Sequence, residues 1–292
     1  MVYLNGLIFA ALVFFVPLIF CFLLFIFKWK LSLIQNIYLY SFTTGLVLVL
    51  STLGFLKESI DLLNHYFEND FNKFKNLIII LVIVGGLIIG FLIGGICKFI
   101  FFVISKRKCK NHQFLTENES CSFHNEEKFI IKNNKLVGAI LLVGHKIIDG
   151  LSIGFLLNES QNELFKIENI GLIIGFIIHI IPTTIILYYI YCGILESQLK
   201  SFLWSSFSNL IIIPFIFLGI LITTLIQNIY WLIPLLLTIA GGVLLFTSIF
   251  ELAPEFIHNN HLCSHKWFFT FLWFAIGVIL SIILTSIHSH IH

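Results

Sequence analysis

The segment "GHKIIDGLSIG", residues 144–154, sets His145, Lys146 and Asp149 inside an otherwise apolar stretch. On a helix, His145 and Asp149 are four residues apart and lie about 40° from one another in projection, with Ser152 on the same stripe. An imidazole and a carboxylate on one face can hold a divalent metal ion. A charge at the centre of a bilayer costs at least ~2.5–3.5 kcal/mol on insertion scales, so such side chains face a bundle interior or a cavity and have a partner. Lys146, about 100° round the helix, could offset Asp149 in a buried ion pair. A hydrogen-bonded polar pair is the alternative reading of His145 and Asp149.

A second intramembrane histidine, His179 in "HIIPTT", occurs at comparable depth in the next apolar run, and Glu251 in "SIFELAPE" is a third candidate ligand with Glu255 one turn on. Two imidazoles with one or two carboxylates form a donor set of borderline hardness. It suits Zn²⁺, Fe²⁺ or Mn²⁺, lacks the thiolates that favour Cu⁺, and is poor for Mg²⁺ or Ca²⁺. One divalent ion would balance Asp149 and Glu251. Pro182 frees the carbonyl of Ile178, opening backbone beside His179.

The elements that must carry these residues are membrane helices. The chain is 59% hydrophobic and only 11% charged, with a mean hydropathy of +1.02, well beyond a soluble domain's composition. Apolar runs fall at about 4–27, 35–56, 77–104, 136–157, 170–192, 202–226, 229–250 and 267–287, each long enough to cross about 30 Å of hydrocarbon as a helix. They lack the alternation of barrel strands, and a helix satisfies its own backbone in lipid. The expected fold is all-α, an eight-helix polytopic bundle in one membrane domain spanning residues 1–292. Its largest connection, 105–135, is expected to be a flexible cytoplasmic loop. The first run follows "MVYLN", which has no basic side chain, and no cleavage site follows it, so it is expected to be a retained helix.

Loops after the odd-numbered helices hold Lys28, Lys30, Lys106, Arg107, Lys108, Lys110, Lys128, Lys132, Lys135, Lys200 and Lys266, against Lys57, Lys73, Lys75 and Lys166 on the other side. The positive-inside rule then puts both termini outside or in a lumen; a plasma membrane is expected rather than an organelle membrane. Of the two "NES" sequons, only Asn158 lies where glycosylation could occur, and Asn118 is inside. Glu58, Asp61, Glu68, Asp70, Glu159, Glu163 and Glu168 collect on the outer side, either as a cation-concentrating rim or as a solvated surface. The six cysteines lie in helices and inner loops, which argues against a disulfide framework. A net charge of +2 gives no support to a nucleic-acid partner. Gly86, Gly90 and Gly94 form one smooth helix face, and Gly150 with Gly154 another, allowing close packing or sliding of helices.

At the residues first quoted the chain resembles the ZIP family of divalent metal transporters. The fourth-helix motif His-x-x-x-Asp/Glu-Gly-(Leu/Met)-(Ala/Ser)-Ile-Gly reads "HKIIDGLSIG", the fifth-helix His-x-x-Pro reads "HIIP", and the seventh-helix pattern reads "AGGVLLFTSIFELAPE". The resemblance implies eight helices with outside termini. It implies a primary metal site of His145, Asp149 and His179 halfway along the path, with Glu251 in an adjacent secondary site. Lys146, Ser152, Thr183 and Glu255 are the accompanying pathway or second-site candidates. The chain departs from the family at Lys146, where another polar or acidic residue is usual, and at Ile180, Thr183 and Thr184, where carboxylates or histidines are usual. A second-helix histidine is replaced by Gly54 or a neighbour. The expectation is that the Lys146 ammonium takes the place of a second ion, leaving one ion per cycle.

The expected function is import of Zn²⁺, or else Fe²⁺, into the cytoplasm by alternating access, the metal being cargo rather than a catalytic cofactor. Divalent ions and membrane lipid are the expected partners, and a second copy of the chain is a candidate for a homodimer. Two inner-side clusters could also hold metal: Cys109, His112, Cys121 and His124 in the third loop, and His258, His261, Cys263 and His265 before the last helix. No enzymatic activity is expected. The alternatives from other classes are a non-transporting metal sensor or membrane subunit, and an intramembrane metal-dependent hydrolase, for which no His-Glu-x-x-His occurs.

Overall fold

The computed structural model describes residues 2–28, 31–67, 74–116, 123–159, 167–195, 197–226, 229, 231–257 and 264–289. Within them every regular element is helical. In chain order these are α1 (Val2–Ile26), α2 (Leu33–Val49), a π-helical segment (Leu50–Leu56), α3 (Lys57–Tyr66), α4 (Lys75–Thr116), α5 (Phe123–Glu159), α6 (Ile167–Leu195), α7 (Gln198–Leu210), α8 (Ile212–Ile226), α9 (Leu232–Thr247), a second π-helical segment (Ser248–Leu252), α10 (Ala253–Ile257) and α11 (Ser264–Ser289). Among the described residues, eight stretches are long and apolar enough to cross a bilayer: Gly6–Ile26, Ile34–Tyr66, Lys75–Ile100, Gly138–Phe155, Ile174–Leu195, Gln198–Ile226, Leu232–Ile257 and Lys266–Ser286. The chain is an all-α, multi-pass membrane protein.

Local sequence explains where these helices begin, bend and end. Ser32 and Gln35 form a reciprocal capping box, Gln35 N–H donating to Ser32 Oγ at 3.3 Å and Ser32 N–H to Gln35 Oε1 at 2.9 Å, which fixes the start of α2. The sixth span divides at Ile211. Pro214 has no N–H for the carbonyl of Leu210, so the ladder is interrupted there. Pro254 does the same to the carbonyl of Phe250, and the lost donor is replaced from another helix, Lys98 Nζ on α4 donating to Phe250 O at 2.8 Å.

Three expected boundaries are corrected. The second span does not stop near residue 56 but runs to Tyr66, because no glycine or proline follows Gly54 and the added turns bury Ser59 and Leu63. The seventh span likewise continues past 250 to Ile257 through its π-helical segment. The segment 105–135, expected to be a loop, is helical over 105–116 and 123–135. It contains no glycine or proline, and its Lys, Glu and Gln side chains are good helix formers, so both helices extend well beyond their apolar spans.

The glycine faces set the helix packing. Gly86, Gly90 and Gly94 of α4 lie against Thr238, Gly242 and Phe246 of α9, and Gly150 and Gly154 of α5 lie against Ile212, Ile216 and Gly219 of α8. A Cβ added to Gly154 would come within 2.8 Å of the Gly219 Cα. Backbone therefore meets backbone at that crossing. Because this face of α5 is committed to α8, the rotation of α5 is fixed, and the face carrying His145 and Asp149 turns toward α6. Apolar side chains on the outside, such as Phe268, Phe271 and Ile279 of α11, are exposed as a lipid-facing surface requires, while Phe9, Phe55 and Phe176 are in the core.

Candidate metal centre

α5 and α6 bring three side chains to one point in the middle of the bundle. His145 Nε2 and His179 Nε2 are 3.0 Å apart. Asp149 Oδ2 lies 3.6 Å from the first and 3.4 Å from the second. The rings meet edge to face, with centroids 5.1 Å apart and planes at 77°. His145 is 2% exposed and the other two 0%. Among the described residues this is the one group of three or more His, Cys, Asp or Glu side chains positioned to hold a metal ion.

The dimensions match a small divalent ion. A tetrahedral ion with bonds of about 2.0–2.1 Å sets its ligand atoms roughly 3.3–3.4 Å apart, and the three observed separations bracket that value. A triangle of these sides has a circumradius of about 1.9 Å, so an ion at bonding distance from all three atoms sits slightly out of their plane with a coordination position to spare. The electrostatics agree with the geometry. Among the described residues neither oxygen of the fully buried Asp149 has a hydrogen-bond donor, and neither Nδ1 atom has a partner. A carboxylate stripped of water and without donors is strongly destabilised unless a cation balances it.

Lys146 does not form the expected ion pair with Asp149. Its Nζ donates instead to Thr184 Oγ1 at 2.8 Å and to Asn209 Oδ1. The Thr184 hydroxyl donates to Ile180 O at 2.7 Å, leaving its oxygen free to accept from the lysine. Lys146, Thr184 and Asn209 are all buried, at 0%, 0% and 1% exposure. Three helices, α5, α6 and α7, meet on this one ammonium. Beside it Cys21 Sγ lies 3.8 Å from Ser205 Oγ.

The remaining expected site residues are not gathered at the cluster. Glu251 is outside it, held by Lys98 Nζ at 2.8 Å. The reason is positional: Glu251 sits in the π-helical segment toward the end of the seventh span, where α4 packs alongside and Lys98 already serves the Phe250 carbonyl. Ser152 and Thr183 spend their hydroxyls on carbonyls of their own helices, Ile148 O at 2.8 Å and Ile180 O at 2.9 Å. Glu255 is exposed on α10. The loop clusters fall outside the described residues: Cys121, His258, His261 and Cys263 entirely, and Cys109, His112, His124 and His265 in their side chains.

Sequence reasoning missed Asn209 and its surroundings. The signal was present in "SFLWSSFSNL", where Ser201, Ser205, Ser208 and Asn209 recur at helical spacing and form the buried stripe of α7. Comparison with protein-family models and with curated proteins gives no match.

Proposed function

We propose that the protein moves a divalent transition-metal ion, Zn²⁺ foremost and Fe²⁺ second, across the membrane through the His145–Asp149–His179 site. The observation that carries this reading is a three-ligand triangle of tetrahedral dimensions, buried within a bundle of membrane spans, whose carboxylate has no hydrogen-bond donor among the described residues. Buried ionisable groups in a membrane mark ion pathways. The ZIP-type motifs on which these residues fall point the same way, and they suggest alternating access in which the helix pair α5 and α6 moves against its neighbours. The backbone-on-backbone contacts of Gly154 with Gly219 and of Gly90 with Gly242 are compatible with such movement, since no side chains interlock at those two points. With neutral imidazoles the site takes one ion, and an inside-negative potential would favour import by about 4.6 kcal/mol per 100 mV for a divalent cargo. The positive-inside bias makes the termini extracellular or lumenal in this scheme.

The test is ⁶⁵Zn²⁺ uptake into proteoliposomes containing the wild type or His145→Ala, with Fe²⁺ and Mn²⁺ as competitors. Saturable uptake lost in the variant is the expected result. Binding without uptake would replace transport by sensing.

A further inference from the structure

Among the described residues Asp149 is the only buried carboxylate, and Lys146 the only buried lysine or arginine. They are three positions apart on α5 and share no ion pair. Each is held separately, Asp149 in the imidazole triangle and Lys146 on Thr184 and Asn209. Lys146 is on α5 with two of the three ligands and donates to Thr184 on α6, the helix of the third, so its charge travels with the metal site.

From this arrangement we propose that Lys146 is the built-in counter-charge of Asp149, making the unloaded site electrically neutral so that only the metal-loaded form carries charge through the membrane field. The inference rests on the transport reading above and adds to it the voltage behaviour of the two half-cycles. Imidazoles that ligate metal are neutral. The empty site then sums to zero from one carboxylate and one ammonium, and the loaded site to the two charges of the ion. Reorientation of the empty carrier has no charge for a membrane potential to act on, so a strong potential drives import without hindering or assisting the return. With the lysine replaced by a neutral side chain, the empty site would carry one negative charge and its reorientation would become voltage-sensitive. One charge crossing the whole field changes the ratio of the two orientations by up to about fifty-fold per 100 mV.

The experiment is voltage-step recording of transient charge movement from the full chain in giant excised patches, with chelator and no metal on either face. Surface protein is quantified for each variant. The wild type is expected to show a metal-activated current but no metal-free charge movement. Lys146→Met and Asp149→Asn should each show metal-free movement approaching one elementary charge per protein. Lys146→Met with Asp149→Asn together should show none, and Lys146→Arg should behave as wild type. A lysine with a purely structural role would not produce this cancellation in the double variant. Metal-free charge movement in the wild type overturns the proposal, as does its absence from both single variants while the wild type carries metal current. If the wild type, present at the surface, passes neither metal current nor ⁶⁵Zn²⁺, the transport reading itself fails, and this inference with it.

Discussion

Asn209→Leu removes one of the two oxygens that receive the Lys146 ammonium, at a position 1% exposed. The other acceptor, Thr184 Oγ1 at 2.8 Å, remains. A hydrogen bond to a charged group contributes about 1.5–3 kcal/mol, and leaving a buried charge short of a partner adds desolvation cost, so the expected destabilisation is about 2–4 kcal/mol. For a chain of 292 residues, at about 2.1 cal/mol/K of unfolding entropy per residue, that corresponds to a fall in melting temperature of roughly 3–7 °C. The assay is thermal unfolding of purified protein in one detergent, followed by intrinsic fluorescence, for Asn209→Leu, Lys146→Met and the double variant. Once the lysine is neutral, the missing acceptor matters little, so Asn209→Leu should cost less than about 1 kcal/mol in the Lys146→Met background. Equal losses in both backgrounds would refute the claim that Lys146 and Asn209 act on one another.

Other expectations follow from the same geometry. Glu251→Gln should leave Zn²⁺ affinity at the central site within about threefold of wild type by calorimetry, because Glu251 pairs with Lys98 and not with the cluster; a loss comparable to that of Asp149→Asn would restore Glu251 to the ligand set. Gly154→Leu should destabilise by at least about 1–3 kcal/mol and abolish uptake, since the space beyond the missing Cβ is backbone of Gly219 and Ile220; a variant with wild-type melting temperature and flux would show the α5–α8 crossing to be loose. Acidification should weaken Zn²⁺ binding, because protons compete with metal for the imidazole Nε2 atoms; an affinity that does not fall at any acidic pH at which the protein stays folded would count against histidine ligation.

The spans and the core of the site were legible in the sequence because each rests on a local pattern. A run of apolar residues long enough for a bilayer allows only a helix, and His145, Asp149 and Ser152 share a stripe by helical spacing alone. That His179 meets them was also within reach, since consecutive helices joined by a short connection pack side by side. What was hidden depended on partners distant in sequence. Lys146 was expected to serve Asp149, its neighbour on the same helix, but its stem reaches Asn209, 63 positions away on α7. Glu251 was a candidate ligand assigned by the resemblance to an adjacent site, and its partner Lys98, 152 positions from the Phe250 carbonyl it also serves, was not legible from spacing. Ser152 was a pathway or second-site candidate by its stripe, and a hydroxyl within a membrane helix also has an acceptor in its own backbone four residues earlier. The overextended loop at 105–135 has a different cause: polarity marks where a helix leaves the membrane, and without a glycine or proline it does not mark where the helix ends.

The central claim is that His145, Asp149 and His179 together hold the ion that crosses the membrane. Zn K-edge X-ray absorption on protein loaded with one equivalent of Zn²⁺, compared with the Asp149→Asn variant, tests it most directly. The account predicts a tetrahedral first shell of nitrogen and oxygen at about 2.0–2.1 Å with the outer-shell scattering of two imidazoles, lost in the variant. A sulfur-containing shell, or a spectrum unchanged by Asp149→Asn, would place the metal elsewhere and contradict it.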